Sequence, residues 1–208
     1  MRAKTGGTRV AVATAVTALD RVTPKSLRRA LYTLHHAASI ARDVVRAPLS
    51  RASWGVLLNL PCFGVVQAGR IYRSGSPRAP CHFEHVLELG VRTLVCVRGG
   101  GATPSVREFA ARRGLRLLEF DLGPDCAYDE RAIARAAAAA CDPALQPALV
   151  FCDGGRHRAG MVVAVIRLQQ GQLLHAVLAE YYTFAEPWPF SDNVLCIAAC
   201  HAKRLVAT

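Results

Sequence analysis

Long apolar runs, paired cysteines and acidic residues are all scarce in this 208-residue sequence. No stretch of 18 apolar residues occurs, so we predict no membrane-spanning helix. The eight cysteines include no Cys-x-x-Cys pair, which argues against a metal finger and is typical of reduced thiols in a reducing compartment. Fifteen acidic residues against 26 lysines and arginines leave a formal charge of +11, which favours anionic partners without choosing among them.

The basic excess is concentrated in residues 1–59. This segment has ten basic residues and only two acids, Asp20 and Asp43, so its net charge is +8. Apolar residues at helical spacing after Thr23 predict an amphipathic helix over 23–46. We expect this basic extension to pack on the following domain or to lie on an acidic membrane surface.

The first residues also bear on location. Val10–Leu19 is an apolar stretch after three basic residues, a weak signal-peptide or transit-peptide pattern, but it is rich in alanine and threonine rather than leucine. We therefore predict a cytoplasmic protein, with targeting to an organelle or peripheral attachment to a membrane as alternatives.

Residues 60–208 show a sequence pattern that is typical of an α/β domain. Strands that alternate with helices predict a single compact domain with a mainly parallel central sheet flanked by helices. A hairpin that turns at Gly69 opens the domain. The later predicted strands cover 92–97, 115–122 and 148–152, and the predicted helices cover 81–89, 105–113, 130–141, 157–170, 173–185 and 191–205.

The most informative segment is 151–160, Phe-Cys-Asp-Gly-Gly-Arg-His-Arg-Ala-Gly. Its Cys-x5-Arg spacing alone is weak evidence, because a chain with eight cysteines and 23 arginines contains about one by chance. The context is stronger, since the segment joins a short apolar strand to an apolar helix. Gly154 and Gly155 allow backbone N–H groups to turn towards one point at the start of that helix, as in phosphate-binding loops.

Cys152 is the predicted nucleophile of this loop. Backbone dipoles and nearby cations favour its thiolate, which can attack phosphorus and form a phosphocysteine. The planar guanidinium of Arg158 is predicted to bind the equatorial oxygens of the phosphoryl group. The predicted phosphate-binding residues are Asp153, Gly154, Gly155, Arg156, His157 and Arg158.

A proton donor for the leaving group must lie on a loop near the site. Asp121, Asp125 and Asp129 all follow the strand predicted at 115–122. Asp129 fits a helix cap and Asp121 lies at the strand end, so Asp125 is the predicted general acid. We predict no metal site and no cofactor. Cys196, Cys200 and His201 lie one helical turn apart but lack a second pair of ligands.

With these residues the chain resembles the plant-and-fungal type of atypical dual-specificity phosphatases, in the cysteine phosphatase superfamily, and their bacterial relatives. The loop of that family reads Cys-x-x-Gly-Lys-His-Arg-Thr-Gly. The positions that fit it here are Cys152, Gly155, Arg156 (in place of lysine), His157, Arg158 and Gly160. The likeness covers about residues 60–205. The other segments that carry it are 63–66, 71–75, 167–171 and 180–185.

The resemblance implies a compact phosphatase that hydrolyses phosphate monoesters without a metal, acting on phosphotyrosine or on inositol pyrophosphates. Positive charge at Arg156 and His157 favours a densely phosphorylated substrate over a protein side chain, and no nucleic acid partner is expected.

Two positions depart from the family: Phe151 replaces the usual histidine, and Ala159 replaces a threonine or serine whose hydroxyl helps the sulfur leave. The second departure implies slow hydrolysis of the phosphoenzyme. It leaves open a catalytically weak module that binds phosphorylated ligands. A rhodanese-like sulfurtransferase, which also has a cysteine in a cationic loop, is the third possibility.

Overall fold

The protein is described from a computed structural model, which covers residues 60–123, 129–186, 189 and 191–207. The basic extension 1–59, with its predicted helix, and the predicted acid Asp125 lie outside these residues. In the part of the chain that is described, no helix is both long and apolar enough to cross a membrane.

A five-stranded sheet forms the centre of the described residues, with strand order β1-β2-β5-β3-β4. β1 runs antiparallel to β2, and the remaining neighbours are parallel. This confirms the predicted mainly parallel sheet and its opening hairpin, in which Gly69 has a φ of 68°. The strands are β1 (Gly64–Gln67), β2 (Ile71–Gly75), β3 (Thr93–Cys96), β4 (Arg116–Glu119) and β5 (Ala148–Cys152).

The described residues also form six α-helices, in the order in which the sequence predicts them. Their bounds match the predicted ones at both ends of α3 and differ by at most two residues elsewhere, within the usual spread of helix assignments. The helices are α1 (Pro80–Glu88), α2 (Pro104–Arg113), α3 (Glu130–Cys141), α4 (His157–Gln169), α5 (Leu174–Ala185) and α6 (Ser191–Ala207).

Local signals explain where helices begin and end. Asp129 caps α3, because its Oδ1 accepts a hydrogen bond from the Arg131 N–H at 2.9 Å. The Thr103 hydroxyl accepts from the Val106 N–H at the start of α2, and Gly114 ends that helix with a φ of 64°. The caps therefore fix the lengths of α2 and α3 locally.

Each face of the sheet is covered by its own apolar cluster. Val95, Val150 and Cys152 face a cluster that includes residues of α3, α4, α5 and α6. Cys96 and Phe151 face the other cluster, which includes residues of α1 and α2. Residues one apart on a strand point to opposite faces, so neighbouring strand ends deliver different side chains to the two layers.

The topology gathers three strand ends at one place. β5 lies between β2 and β3, with Gly75 opposite Cys152 and Cys96 opposite Phe151. Because these strands are parallel, the segments that follow them leave the same edge of the sheet. Ligands of open α/β sheets bind outside this carboxyl edge, which makes it the place to look for a site.

Candidate active site

Cys152 ends the central strand and has a buried side chain, 4% exposed. The next four residues form a loop, and α4 begins at His157. The Gly160 N–H donates to the Arg156 carbonyl at 3.1 Å, so the first helical bond closes directly after the loop. The N–H groups of the first turn have no intrahelical acceptors, and they form the positive end of the α4 dipole beside Cys152.

Gly155 allows the loop to pack against the end of β2. Its φ is +71°, and a Cβ built there would lie 2.4 Å from the Gly75 nitrogen and 2.5 Å from the Ser74 carbonyl carbon. Any side chain would push the loop away from the sheet. The predicted glycine-dependent turn is therefore explained by close backbone contact as well as by the left-handed conformation.

Asp153 lies between two guanidinium groups. Its Oδ2 accepts a hydrogen bond from Arg158 Nη1 at 3.0 Å, and its Oδ1 accepts from Arg98 Nε. Arg158 comes from the first turn of α4 and Arg98 from the segment after β3. The carboxylate thus orients Arg158 at the mouth of the loop and places a second cation beside it.

A second carboxylate holds the segment that carries Arg98. Glu119 Oε1 accepts from the Ala102 N–H at 2.6 Å and from Arg107 Nη2 at 2.9 Å, and Arg98 Nη1 donates to the Gly101 carbonyl at 3.0 Å. The hydrogen bond from Arg107 is the first cause that lowers the pKa of Glu119, and the Ala102 N–H is the second. The loop of Gly99, Gly100 and Gly101 is therefore held at its C-terminal end by the hydrogen bonds to Glu119.

Other predicted loop residues have defined surroundings. Arg156 reaches away from the loop and donates from Nη1 to the Glu186 carbonyl at 2.7 Å. His157 is buried, with 5% of its surface exposed. Arg78, on the exposed segment after β2, donates to the Asp153 carbonyl at 3.2 Å. The cations at the rim of the site therefore include Arg78 and Arg98 beside the predicted loop residues.

Arg73 lies beneath the loop and is 1% exposed. From Nη2 it donates to the Gly155 carbonyl at 2.7 Å and to the Arg156 carbonyl at 3.3 Å. No carboxylate of the described residues lies within 4.0 Å of its guanidinium. Burial lowers the pKa of Arg73 to about 10, so it stays charged at neutral pH.

Two of the three candidate acids, Asp121 and Asp129, lie among the described residues. Asp129 caps α3, as the sequence predicts. Asp121 is exposed, and its Oδ1 accepts from the Gly123 N–H at 2.7 Å, which makes it part of a turn. The role of Asp125 as general acid stays a prediction.

Sequence reasoning missed the contributions of Arg98 and Arg73. A signal for Arg98 exists, because it follows a buried parallel strand next to the one that carries the nucleophile. For Arg73 the signal is a single arginine within an otherwise small or apolar strand, which marks a buried charge but does not reveal its partner.

Cys196 and Cys200 hydrogen-bond to each other on α6, and this contact is the first cause that lowers the pKa of Cys200, to about 7. Among the described residues, no cluster of three or more His, Cys, Asp or Glu side chains has an arrangement suited to a metal ion.

A cysteine-dependent phosphatase site requires a cysteine at a strand end, a glycine loop, a helix start and an arginine six positions after the cysteine, and the structure brings these parts together. Comparison with known proteins gives the family. The profile of the tyrosine phosphatase family matches residues 57–196, which is well over half of the chain, and the chain belongs to that family. The predicted family resemblance, fold and enzyme class are confirmed at the level of the family, and the sulfurtransferase alternative is not favoured.

Two curated plant relatives are similar over the same region. Inositol diphosphatase DSP1 of Oryza sativa subsp. japonica is 31% identical over 138 residues, 64% of this chain and 61% of that protein. Inositol diphosphatase DSP4 of Arabidopsis thaliana is 29% identical over 157 residues, 71% of this chain and 78% of that protein. The chain thus spans about three fifths of the rice relative's length.

Solved structures share the fold. The core catalytic domain of the PP-IP phosphatase SIW14 from S. cerevisiae superposes with a TM-score of 0.65 and 24% identity, covering 72% of this chain and 93% of that one. PTPMT1 superposes with a TM-score of 0.57 and 12% identity, covering 70% and 99%. At these identities the likeness establishes the α/β phosphatase fold.

Proposed function

We propose that this protein removes phosphoryl groups from small, densely phosphorylated molecules through a phosphocysteine at Cys152. The observation that carries the proposal is the position of that thiol, at the end of the central strand and within the loop that leads directly into α4. The N–H groups of such a loop and helix start bind the oxygens of a phosphoryl group, so phosphorus is held in front of the sulfur.

The first step transfers the phosphoryl group to the enzyme. Cys152 Sγ forms a bond to phosphorus while the bond from phosphorus to the leaving oxygen breaks, and that oxygen takes a proton from a general acid. Arg158, held by Asp153, neutralises charge on the equatorial oxygens. Asp125 is the proposed acid.

The second step returns the enzyme to its starting state. Water attacks phosphorus, the bond from sulfur to phosphorus breaks, and the water proton passes to the carboxylate that acted as acid. Ala159, which is fully buried in α4, offers no hydroxyl to the departing sulfur. We propose that this step limits turnover and that phosphoenzyme accumulates.

The rim of the site supports a polyanionic substrate. Arg78 and Arg98 both contact Asp153 beside the loop and add positive charge at the exposed side of the site. Several cations around one phosphoryl site favour a ligand with neighbouring phosphates over a single phosphorylated side chain. Relatives in rice and Arabidopsis carry the name inositol diphosphatase, which supports an inositol pyrophosphate as substrate.

Trapped phosphate tests the proposed chemistry. The full chain is incubated briefly with an aryl phosphate, quenched in acid and digested, and the phosphate is located by mass spectrometry. We expect one labelled residue, Cys152. Binding of the aryl phosphate with neither product release nor a phosphocysteine would instead support the ligand-binding module and contradict the enzyme.

A rate comparison tests the substrate class. The ratio of kcat/KM for an inositol pyrophosphate to that for a phosphotyrosyl peptide is measured in the wild type and in Arg98→Gln. We expect a ratio above one that falls in the variant, because the distal phosphates of the substrate lose a cation. A strong peptide preference in the wild type would refute the proposed substrate.

The predicted membrane contact and the cytoplasmic location stay predictions. The net charge of +8 in residues 1–59 supports binding to anionic lipid. Co-sedimentation of the full chain with phosphatidylserine vesicles, compared with neutral vesicles, tests that contact, and equal sedimentation would argue against it.

A further inference from the structure

Arg73 is a buried cation whose partners are backbone carbonyls of the active-site loop. It lies on β2 directly opposite Val150, two residues before Cys152 on the neighbouring strand. Since side chains alternate between faces, Arg73 and Cys152 belong to the same face of the sheet. The guanidinium therefore lies below the loop, on the side away from solvent.

The two hydrogen bonds fix the orientation of consecutive peptide groups. Nη2 of Arg73 is 2.7 Å from the Gly155 carbonyl oxygen and 3.3 Å from that of Arg156. In a trans peptide the N–H points opposite to the carbonyl. With both carbonyls turned down towards Arg73, the N–H groups of Arg156 and His157 point up and away from it, into the loop.

Three neighbouring residues surround the Arg73 side chain. Its Cζ lies 3.8 Å from the centre of the Phe184 ring, in a cation–π contact. A Cβ on Gly64 would lie 3.2 Å from Arg73 Cγ, closer than an ordinary van der Waals contact, and one on Gly160 would lie 3.5 Å from Arg73 Nη2, at ordinary contact distance. Three neighbours from three elements thus shape a slot for one guanidinium.

Within the described ranges, no carboxylate pairs with the charge in that slot. Glu180, the acid that most raises the pKa of Arg73, is already paired with Arg167 at 2.8 Å. Nε and Nη1 of Arg73 are buried without a hydrogen-bond partner in the described part of the chain. A buried cation of this kind costs several kcal/mol unless a negative charge compensates it. Among the neighbouring groups, Cys152 is the one that most raises the pKa of Arg73 against the effect of burial.

We propose that Arg73 is a positioning residue for phosphoryl transfer, which holds the loop N–H groups towards the phosphate and acts as the buried counter-charge of the Cys152 thiolate. Arg73 does not touch the substrate in this arrangement. The proposal rests on the proposed function for its consequence in turnover, but its effect on the thiol does not.

Three variants of the full chain separate positioning from charge. Arg73→Lys keeps the charge and gives up the two-carbonyl fork, and Arg73→Met gives up both. Arg167→Met is the matched control, because it removes another largely buried guanidinium of the same layer, bound to Glu180 and to the Val66 carbonyl, without touching the loop. Folded fraction is measured by thermal melting for each.

The readouts are the pH dependence of Cys152 alkylation by iodoacetamide and the kinetics of aryl phosphate hydrolysis. For Arg73→Met we expect the alkylation midpoint to move up by about one pH unit or more and kcat to fall about 100-fold, more than KM rises. For Arg73→Lys we expect a midpoint near that of the wild type and a kcat lowered about 10-fold. Arg167→Met is expected to melt earlier with an unchanged midpoint.

A folded Arg73→Met with the alkylation profile and kcat of the wild type would overturn the proposal. So would an Arg167→Met with the same losses, which would make them an effect of stability. If Arg73→Met does not fold, Arg73→Lys decides, and a wild-type kcat in that variant would contradict positioning. If the wild type hydrolyses no aryl phosphate, the proposed function fails, while the alkylation profiles and protection by inorganic phosphate still test the role of Arg73.

Discussion

Two cysteines lie at the ends of neighbouring parallel strands, and they face opposite layers of the molecule. Cys96 ends β3 and packs in the cluster under α1 and α2, where burial raises its pKa to about 12. Cys152 ends β5, packs on the side of α3 to α6, and is followed directly by the loop and the start of α4. The two residues share strand position, sheet edge and burial.

We propose that a strand-end thiol becomes reactive through the chain segment that comes after it. After Cys152 the chain turns at Gly155 and enters α4, whose first-turn N–H groups form the positive end of the helix dipole. After Cys96 the chain runs out through Arg98 and a triple-glycine loop that is fastened to Glu119. At Cys96 burial outweighs the Arg98 N–H and guanidinium, which act to lower the pKa of that thiol. At Cys152 we propose that the helix start and the neighbouring cations make the thiol a nucleophile.

The largest expected effect comes from replacing the proposed nucleophile, Cys152. Cys152→Ser removes the sulfur and keeps its size, so we expect kcat on an aryl phosphate to fall by about 10³-fold or more with unchanged folding. Steady-state hydrolysis and circular dichroism measure the two. Hydrolysis retained within tenfold would place the nucleophile elsewhere.

Arg158→Lys should have the next largest effect. Lysine keeps the charge but loses the planar fork that Asp153 orients, so kcat/KM should fall by about 100-fold. The matched control is Arg112→Lys, because Arg112 is an exposed arginine on α2 whose ion pair with Glu108 lies within its own helix. Equal activity of Arg158→Lys and the control would remove Arg158 from the site.

Restoring a hydroxyl at position 159 tests whether hydrolysis of the phosphoenzyme limits turnover. Ala159→Ser adds a donor in the first turn of α4, and we expect hydrolysis of the phosphoenzyme to accelerate about tenfold, which corresponds to a barrier lower by about 1.4 kcal/mol. Rapid-quench kinetics should show the burst of the wild type and its loss in the variant. A wild type without a burst would show that the second step is not limiting.

Cys96, the buried cysteine at the end of β3, should be dispensable for catalysis. Cys96→Ala is expected to cost about 1 kcal/mol of folding free energy, from the small cavity left by the sulfur, and to keep kcat within twofold. Iodoacetamide at pH 7 should label Cys152 in the native protein and leave Cys96 unlabelled until denaturation. Labelling of Cys96 in the native state would contradict its burial.

The smallest expected effect comes from replacing Glu119, whose carboxylate holds the triple-glycine loop. The pKa of Glu119 is lowered in the folded state, so its contribution is present above the usual carboxyl range and is lost as pH falls through the folded pKa. Glu119→Gln should lower the Tm at pH 7 by about 2 °C or less, because Glu119 is partly exposed, and this difference should shrink as the pH is lowered below the usual carboxyl range. A larger loss at acid pH would reverse the assigned sign.

Much of the fold follows from local signals. The hairpin at Gly69, the capped start of α3 at Asp129 and the strand 148–152 are confirmed, because turn, cap and β-rich patterns act over a few residues. The predicted strands 92–97 and 115–122 are longer than β3 and β4, although the Val97 and Phe120 N–H groups just beyond these strands still donate to the Phe151 and Cys96 carbonyls.

The residues of the candidate site also divide into those that the sequence predicts and those that it does not. Cys152, its glycines and Arg158 lie in one continuous segment, so their spacing along the chain is informative. Arg73 and Arg98 come from other strands, and their proximity depends on the strand order β2-β5-β3, which no local pattern encodes. Their contacts could not be predicted without the sheet.

Sequence alone was enough to determine the α/β class, the strand–loop–helix around Cys152 and the basic character of the first 59 residues, because each depends on neighbours in the chain. Tertiary packing was needed to decide that Asp153 bridges Arg158 and Arg98, that Cys96 and Cys152 face different layers, and that Arg73 lies under the loop. The physical reason is that hydrogen bonds and charge pairing across strands depend on register and order, which form when distant segments pack.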